Sequence, residues 1–274
     1  MSEHFCCIAS PKTNPNIQRA VGVRGKYWKP GQSIRIAFVG GDEAQRAFVR
    51  RHCVAWTEFA NLTFVFTPDA SIAEVRIAFN EGQGSRSYLG RDALNIPVQY
   101  ETMNFGWLDE AVVLHEFGHM LGLAHEHQNP NEPIQWDKDR VYADLSQAPN
   151  YWDKATIDHN IFKAYELGAV DSSPLDKDSI MLYQVPSRWT LNGFSAGFNT
   201  ALSEVDKAFV ARIYPGKTSG LTVDLEGVFT RRKDIAKLPE RVVVALGERL
   251  RLPVDVALLK RENVDMVAAA LGVG

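Results

Sequence analysis

The chain has 274 residues, 45% of them hydrophobic and 23% charged, with a net charge of -3. That length buries a sizeable core in one large domain, or in a domain with a small appendage, and the composition is that of an ordinary soluble globular protein. No basic excess marks a nucleic-acid or anionic-membrane partner, and no apolar stretch reaches the length that spans a bilayer, so neither nucleic acid nor membrane is expected as a partner.

The opening MSEHFCCIASPKTNP has no basic stretch leading into an apolar run, so it does not read as a secretory signal. A cytoplasmic or non-classically secreted chain is expected. Cys6, Cys7 and Cys53 are too few for a disulfide framework, and Cys53 is expected as a core thiol inside a helix. Residues 33–39 alternate apolar and polar and predict a strand, broken at Gly40 and Gly41. Asp42 then caps a helix to about Asn61, with Ala44, Phe48, Ala55 and Phe59 on one face. Residues 62–66 and 74–79 predict two further strands, the latter with Val75, Ile77 and Phe79 on one side. After the turn residues Gly82 and Gly84, a strand near Ser87–Gly90 reads as a sheet edge, to which an extended peptide could add by backbone hydrogen bonds.

A second long helix is predicted from about Leu108 to Leu123. Residues 126–178 are loop-rich, with short helical pieces such as 160–167. Ser203 caps a helix over 203–214 whose apolar face is Val205, Phe209 and Ile213. Pro215–Gly220 is a break. Beyond it, Ile235, Leu238, Val242 and Leu246 suggest helix. The expected organisation is therefore an N-terminal segment (1–25), a large central domain (26–216) and a small C-terminal appendage (217–274), the last a candidate docking segment for a protein partner.

Residues 115–125, HEFGHMLGLAH, contain H-E-x-x-H-x-x-G-x-x-H. Residues i and i+4 share a helix face, so His115 and His119 can bind one ion. Gly122, one turn on, can take a positive φ, end the helix and let His125 return as a third ligand. Zinc accepts neutral imidazole nitrogens, and three protein ligands leave a fourth position for water, the catalytic arrangement rather than the closed structural one. Glu116, beside the first ligand, can reach that water as a general base. A bare H-E-x-x-H match is weak, since two histidines on a helix often only pack. The extended string arises by chance on the order of once in 10^5 chains of this size.

Downstream, Ser179-Ile180-Met181-Leu182-Tyr183 resembles the Met-turn that accompanies this long motif in the metzincins. Within that group the chain resembles the astacin family. His125-Glu126-His127 matches the glutamate that follows the third histidine there, and Pro174, Asp176, Ser179, Ile180, Met181 and Tyr183 match the family's Met-turn in register. Asp137–Tyr142, Trp28 and Ser87–Gly90 are also similar, so the likeness spans about residues 26–214. It departs in lacking matching cysteines and an evident prosegment.

The resemblance implies an α+β metzincin fold: a twisted mixed sheet with a backing helix and an active-site helix, a loop-rich C-terminal subdomain and a small helical appendage. It implies one catalytic Zn2+ on His115, His119 and His125, Glu116 as base, and Tyr183 as a switchable residue that ligates zinc at rest and later hydrogen-bonds the oxyanion. Gly122, Met181 and Glu126 support the site, Met181 as an apolar floor and Glu126 either with a partner other than a new N-terminus or in a structural role only. His127 is a neighbour of the site, and Cys6 or Cys7 could block the zinc as a thiolate. The expected function is a zinc-dependent endopeptidase acting on protein or peptide substrates. The alternative is a catalytically quiet metzincin-fold module acting through its C-terminal segment.

Overall fold

The computed structural model describes residues 7–9, 22–130, 133–164, 170–171, 175–216 and 222–224. In chain order the elements are β1 (Cys7–Ala9), β2 (Gly22–Val23), β3 (Ser33–Phe38), α1 (Glu43–Cys53), β4 (Thr63–Phe66), β5 (Val75–Ala78), β6 (Arg86–Tyr88), β7 (Met103–Asn104), α2 (Glu110–Met120), α3 (Lys138–Leu145), α4 (Lys154–Ile157), β8 (Val170–Asp171), α5 (Glu204–Ile213) and β9 (Thr222–Asp224). Strands and helices mix in an α+β fold with both parallel and antiparallel pairs. Contacts divide the chain into two units, drawn from residues 29–78, 97–101 and 210–274, and from 1–28, 79–96 and 102–209.

In the first of these, β3 pairs in parallel with β4 and with β5, and β4 pairs in parallel with β9. Every residue of β4 and β5 is buried, so these strands are covered on both faces and show no alternation. Buried Arg76 meets this with its guanidinium donating to the carbonyls of Tyr100 and Ala73, 2.7 and 3.0 Å away. Helix α1 starts at Asp42, whose side chain accepts from the Gln45 amide while Gln45 reaches back, closing a capping box.

The expected helix to Asn61 ends as α-helix at Cys53 and tightens into a 3-10 turn over Val54–Glu58. There the Thr57 hydroxyl donates back to the Val54 carbonyl, 2.8 Å away. The expected face is also corrected. Ala44 is exposed, whereas Val49, Cys53, Trp56 and Ala60 are buried. Both stripes keep helical spacing, and the one carrying the large Trp56 ring wins the core. Cys53 is the expected core thiol, its pKa raised by burial.

In the other unit, β6 pairs in parallel with β1 and antiparallel with β7, and β2 pairs antiparallel with β8. The sheet edge expected near Ser87–Gly90 is therefore not an edge, because residues 7–9 of the same chain lie along β6. Helix α2 begins at Asp109, whose carboxylate accepts from the Val112 amide at 2.7 Å, and Ala111–Met120 are all buried. A helix apolar all round is a core helix, so the site it carries is built in dry surroundings. The Trp28 indole donates to the Met120 carbonyl at its end.

The loop-rich stretch folds α3, α4 and a five-residue π-helical turn, Asp158–Phe162, earlier than the helical piece expected at 160–167. Residues 165–167 of that piece, Pro174, His4 and Cys6 lie outside the described residues. The same is true of residues 225–274, where the helical pattern from Ile235 to Leu246 falls. No helix among the described residues is long and apolar enough to cross a membrane.

Candidate metal centre

Helix geometry places His115 and His119 one turn apart on α2, and their rings meet edge to face with centroids 4.6 Å apart. Each is oriented by a main-chain carbonyl: Nδ1 of His115 lies 2.7 Å from the Ile180 oxygen, and Nδ1 of His119 lies 2.7 Å from the Leu123 oxygen. A carbonyl only accepts, so each Nδ1 carries the proton and each Nε2 keeps its lone pair.

Helix α2 ends where Gly122 takes φ +88°. The turn brings His125 back until its Nε2 stands 3.2 Å from Nε2 of His119. Among the described residues, the ligand atoms of these three imidazoles form a group within 4.8 Å of one another. Two nitrogens on one tetrahedral zinc, each at about 2.0–2.1 Å, stand about 3.3–3.4 Å apart, so the donor set fits one such ion. Burial pushes the His115 pKa down to about 4, and burial with neighbouring imidazoles holds His119 and His125 well below the ordinary value. The rings are therefore neutral at pH 7, the state that binds metal. Glu116 follows His115 on the helix and is fully buried.

The second wall is the turn Ser179–Leu182. Its Ile180 carbonyl takes His115, and its Met181 carbonyl accepts from the Glu126 amide at 2.9 Å, tying the residue after His125 to the turn. Met181 is buried at 2% exposure, and its own amide donates to Ser179 Oγ. Glu126 Oε1 accepts from the Asn129 side chain at 2.9 Å and from the Asp176 amide at 3.1 Å, and burial pushes its carboxyl up to about 7. Tyr183 closes the group, its ring centroid 4.2 Å from that of His125 and 6.0 Å from that of His115.

Sequence reasoning missed Asp206. The apolar face assigned to α5 included Val205, which is 40% exposed, while Asp206 points inward and is buried. Its carboxylate accepts from Ser179 Oγ at 2.7 Å, from the Ile180 amide at 2.8 Å and from the Ser203 amide at 3.0 Å. Ser203 Oγ in return accepts from the Asp206 amide, as expected of an N-cap. The spacing Ser203-x-x-Asp206 marks the cap, but nothing in it announces the grip on Ile180. His52 packs on Phe48, and His159 is half-buried.

The sequence model of the astacin family of peptidases matches residues 21–208. A comparison with the curated proteins finds no match. Among solved structures, one of myroilysin is 43% identical, covering 72% of this chain and 98% of that one with a TM-score of 0.69. A second myroilysin structure is 38% identical, covering 78% and 92%, with a TM-score of 0.57. High choriolytic enzyme 1, a hatching enzyme zinc-protease from the medaka Oryzias latipes, is similar in fold at 16% identity, covering 70% of this chain and 96% of its own with a TM-score of 0.51. The three converging histidines, the matched span and the nearly end-to-end likeness to a relative together make the chain a member of the astacin family of zinc metallopeptidases.

Proposed function

We propose that the chain is a zinc-dependent endopeptidase, with His115, His119 and His125 holding one ion and Glu116 acting as general base. The observation that carries this reading is the convergence of three buried, neutral imidazoles beside a fully buried carboxylate on the helix that carries two of them. Zinc held there supplies Lewis-acid chemistry, polarising the scissile carbonyl and acidifying water. Glu116 takes a proton from the attacking water and passes it to the leaving amine. Tyr183, whose ring lies against His125, donates a hydrogen bond to the oxygen on which charge develops. Gly122, Met181 and Glu126 hold the frame: the first turns the chain toward His125, and the other two join the Met-turn to the histidine segment through the Glu126 amide.

An extended protein or peptide substrate adding to β6 meets β1 already there, so binding at that edge requires β1 to leave. The deciding experiment is Glu116→Ala, assayed for zinc content and for peptide cleavage, in the full chain and in a chain lacking residues 1–9. Retained zinc with cleavage reduced by about two orders of magnitude or more is expected for loss of a general base. Unchanged turnover removes Glu116 from the chemistry. Zinc content without any cleavage by the parent chain leaves a metal-binding module instead.

A further inference from the structure

We propose that His127 is a positioning residue for Tyr183, its ring pinned in place by a π-helical turn. The inference rests on the role given to Tyr183 above. His127 lies two residues past His125 and is 3% exposed. Its Nε2 lies 2.7 Å from the Asn160 carbonyl, so Nε2 carries the proton and the tautomer is fixed. Asn160 belongs to the turn Asp158–Phe162, a rare geometry that recurs at functional sites. The next side chain does the same: Gln128 Nε2 donates to the His159 carbonyl at 3.1 Å. Two successive side chains thus grip two successive carbonyls of one turn, which sets the plane of the imidazole.

The pinned ring touches both members of the site that flank it. It stacks on Tyr183 at 4.7 Å and 24°, and on His125 at 5.1 Å and 22°. Trp136 meets it edge-on at 6.1 Å. Among the described residues, His127 Nδ1 is buried and has no hydrogen-bond partner. A residue that only filled space would be better as leucine or phenylalanine, since an unmet buried acceptor destabilises the fold. What histidine adds is a flat face held by a hydrogen bond at its edge. Tyr183 rests on that face and is kept where its hydroxyl serves the reaction.

The test compares His127→Leu, which loses the aromatic face, with His127→Phe, which keeps one, and with Tyr183→Phe. In Cu2+-loaded protein, a tyrosine on the metal gives a tyrosinate-to-copper charge-transfer absorption. His127→Leu is expected to lose most of that band and to lower kcat at least about tenfold, with KM nearly unchanged, as misplacement of a reacting group does. His127→Phe is expected to restore most of both. A band and kcat unchanged in His127→Leu, or lost equally in both variants at equal zinc content, overturns the proposal. Loss of the band in Tyr183→Phe with an intact His127→Leu overturns this inference alone. Absence of the band in the parent chain, or its survival in Tyr183→Phe, overturns the placing of Tyr183 at the metal and this inference with it, whereas an unchanged kcat in Tyr183→Phe overturns the role in the reaction given to Tyr183 above.

Discussion

His125 stands beside the other two imidazoles because the chain turns at one residue. Gly122 holds φ +88°, and a Cβ there would lie 3.1 Å from the Tyr27 ring. Gly122→Ala therefore meets both backbone strain and a tight contact. It is expected to lower stability by about 1–3 kcal/mol and to lower zinc content by displacing His125; thermal unfolding and metal analysis check both. An alanine variant with parent stability and full zinc would show that the turn does not set the third imidazole. At this scale the candidate centre was largely legible. His115, Glu116, His119, Gly122 and His125 are fixed by identity and spacing, and helix periodicity converts that spacing into geometry. Asp206 was not legible, because what it grips is the main-chain amide of Ile180, and a main-chain amide leaves no mark in the sequence. The carbonyls that orient His115, His119 and His127 were hidden for the same reason.

Elements were legible where they are long enough to repeat a pattern. Strands β3, β4 and β5 and helices α2 and α5 lie within a few residues of where periodicity puts them. The strands β1, β2, β7 and β8 have two or three residues each, too few to show alternation, and only tertiary pairing defines them. Missing β1 is what turned β6 into an apparent edge. Its presence leads to a prediction: removing residues 1–9 frees one side of β6. The shortened chain is expected to cleave a peptide substrate faster than the full chain, with kinetics on both forms as the check. Equal rates would mean that substrate does not enter along β6. The helical face of α1 was misjudged because two apolar stripes share one helix, and periodicity alone does not rank them.

For the molecule as a whole, the buried histidines link folding to pH and to metal. Burial lowers the pKa of His115 and His127 to about 4 from an ordinary 6.5, and burial with neighbouring imidazoles holds His119 and His125 well below it too. Between those values the unfolded chain binds protons that the folded chain refuses, so stability falls as pH drops from 6.5 toward 4. Glu126 and Asp206, raised by burial, act in the opposite sense, losing stability as pH rises through their folded pKa values. Four imidazoles outweigh two carboxyls, so the metal-free protein is expected to melt at lower temperature at pH 4.5 than at pH 6.5. Zinc adds about 4 kcal/mol when its free concentration is a thousandfold above Kd. Chelation at pH 7 should therefore lower the melting temperature and added zinc should restore it, whereas a melting temperature indifferent to both would leave the imidazoles without a metal.

The most direct measurement is zinc K-edge X-ray absorption on the purified chain equilibrated with zinc. The account predicts one ion per chain with nitrogen neighbours at about 2.0–2.1 Å and outer-shell scattering from three imidazole rings, reduced to two in His125→Ala. A chain that takes up no zinc, or whose ion carries fewer than three rings in the parent and is unaltered by His125→Ala, would contradict it.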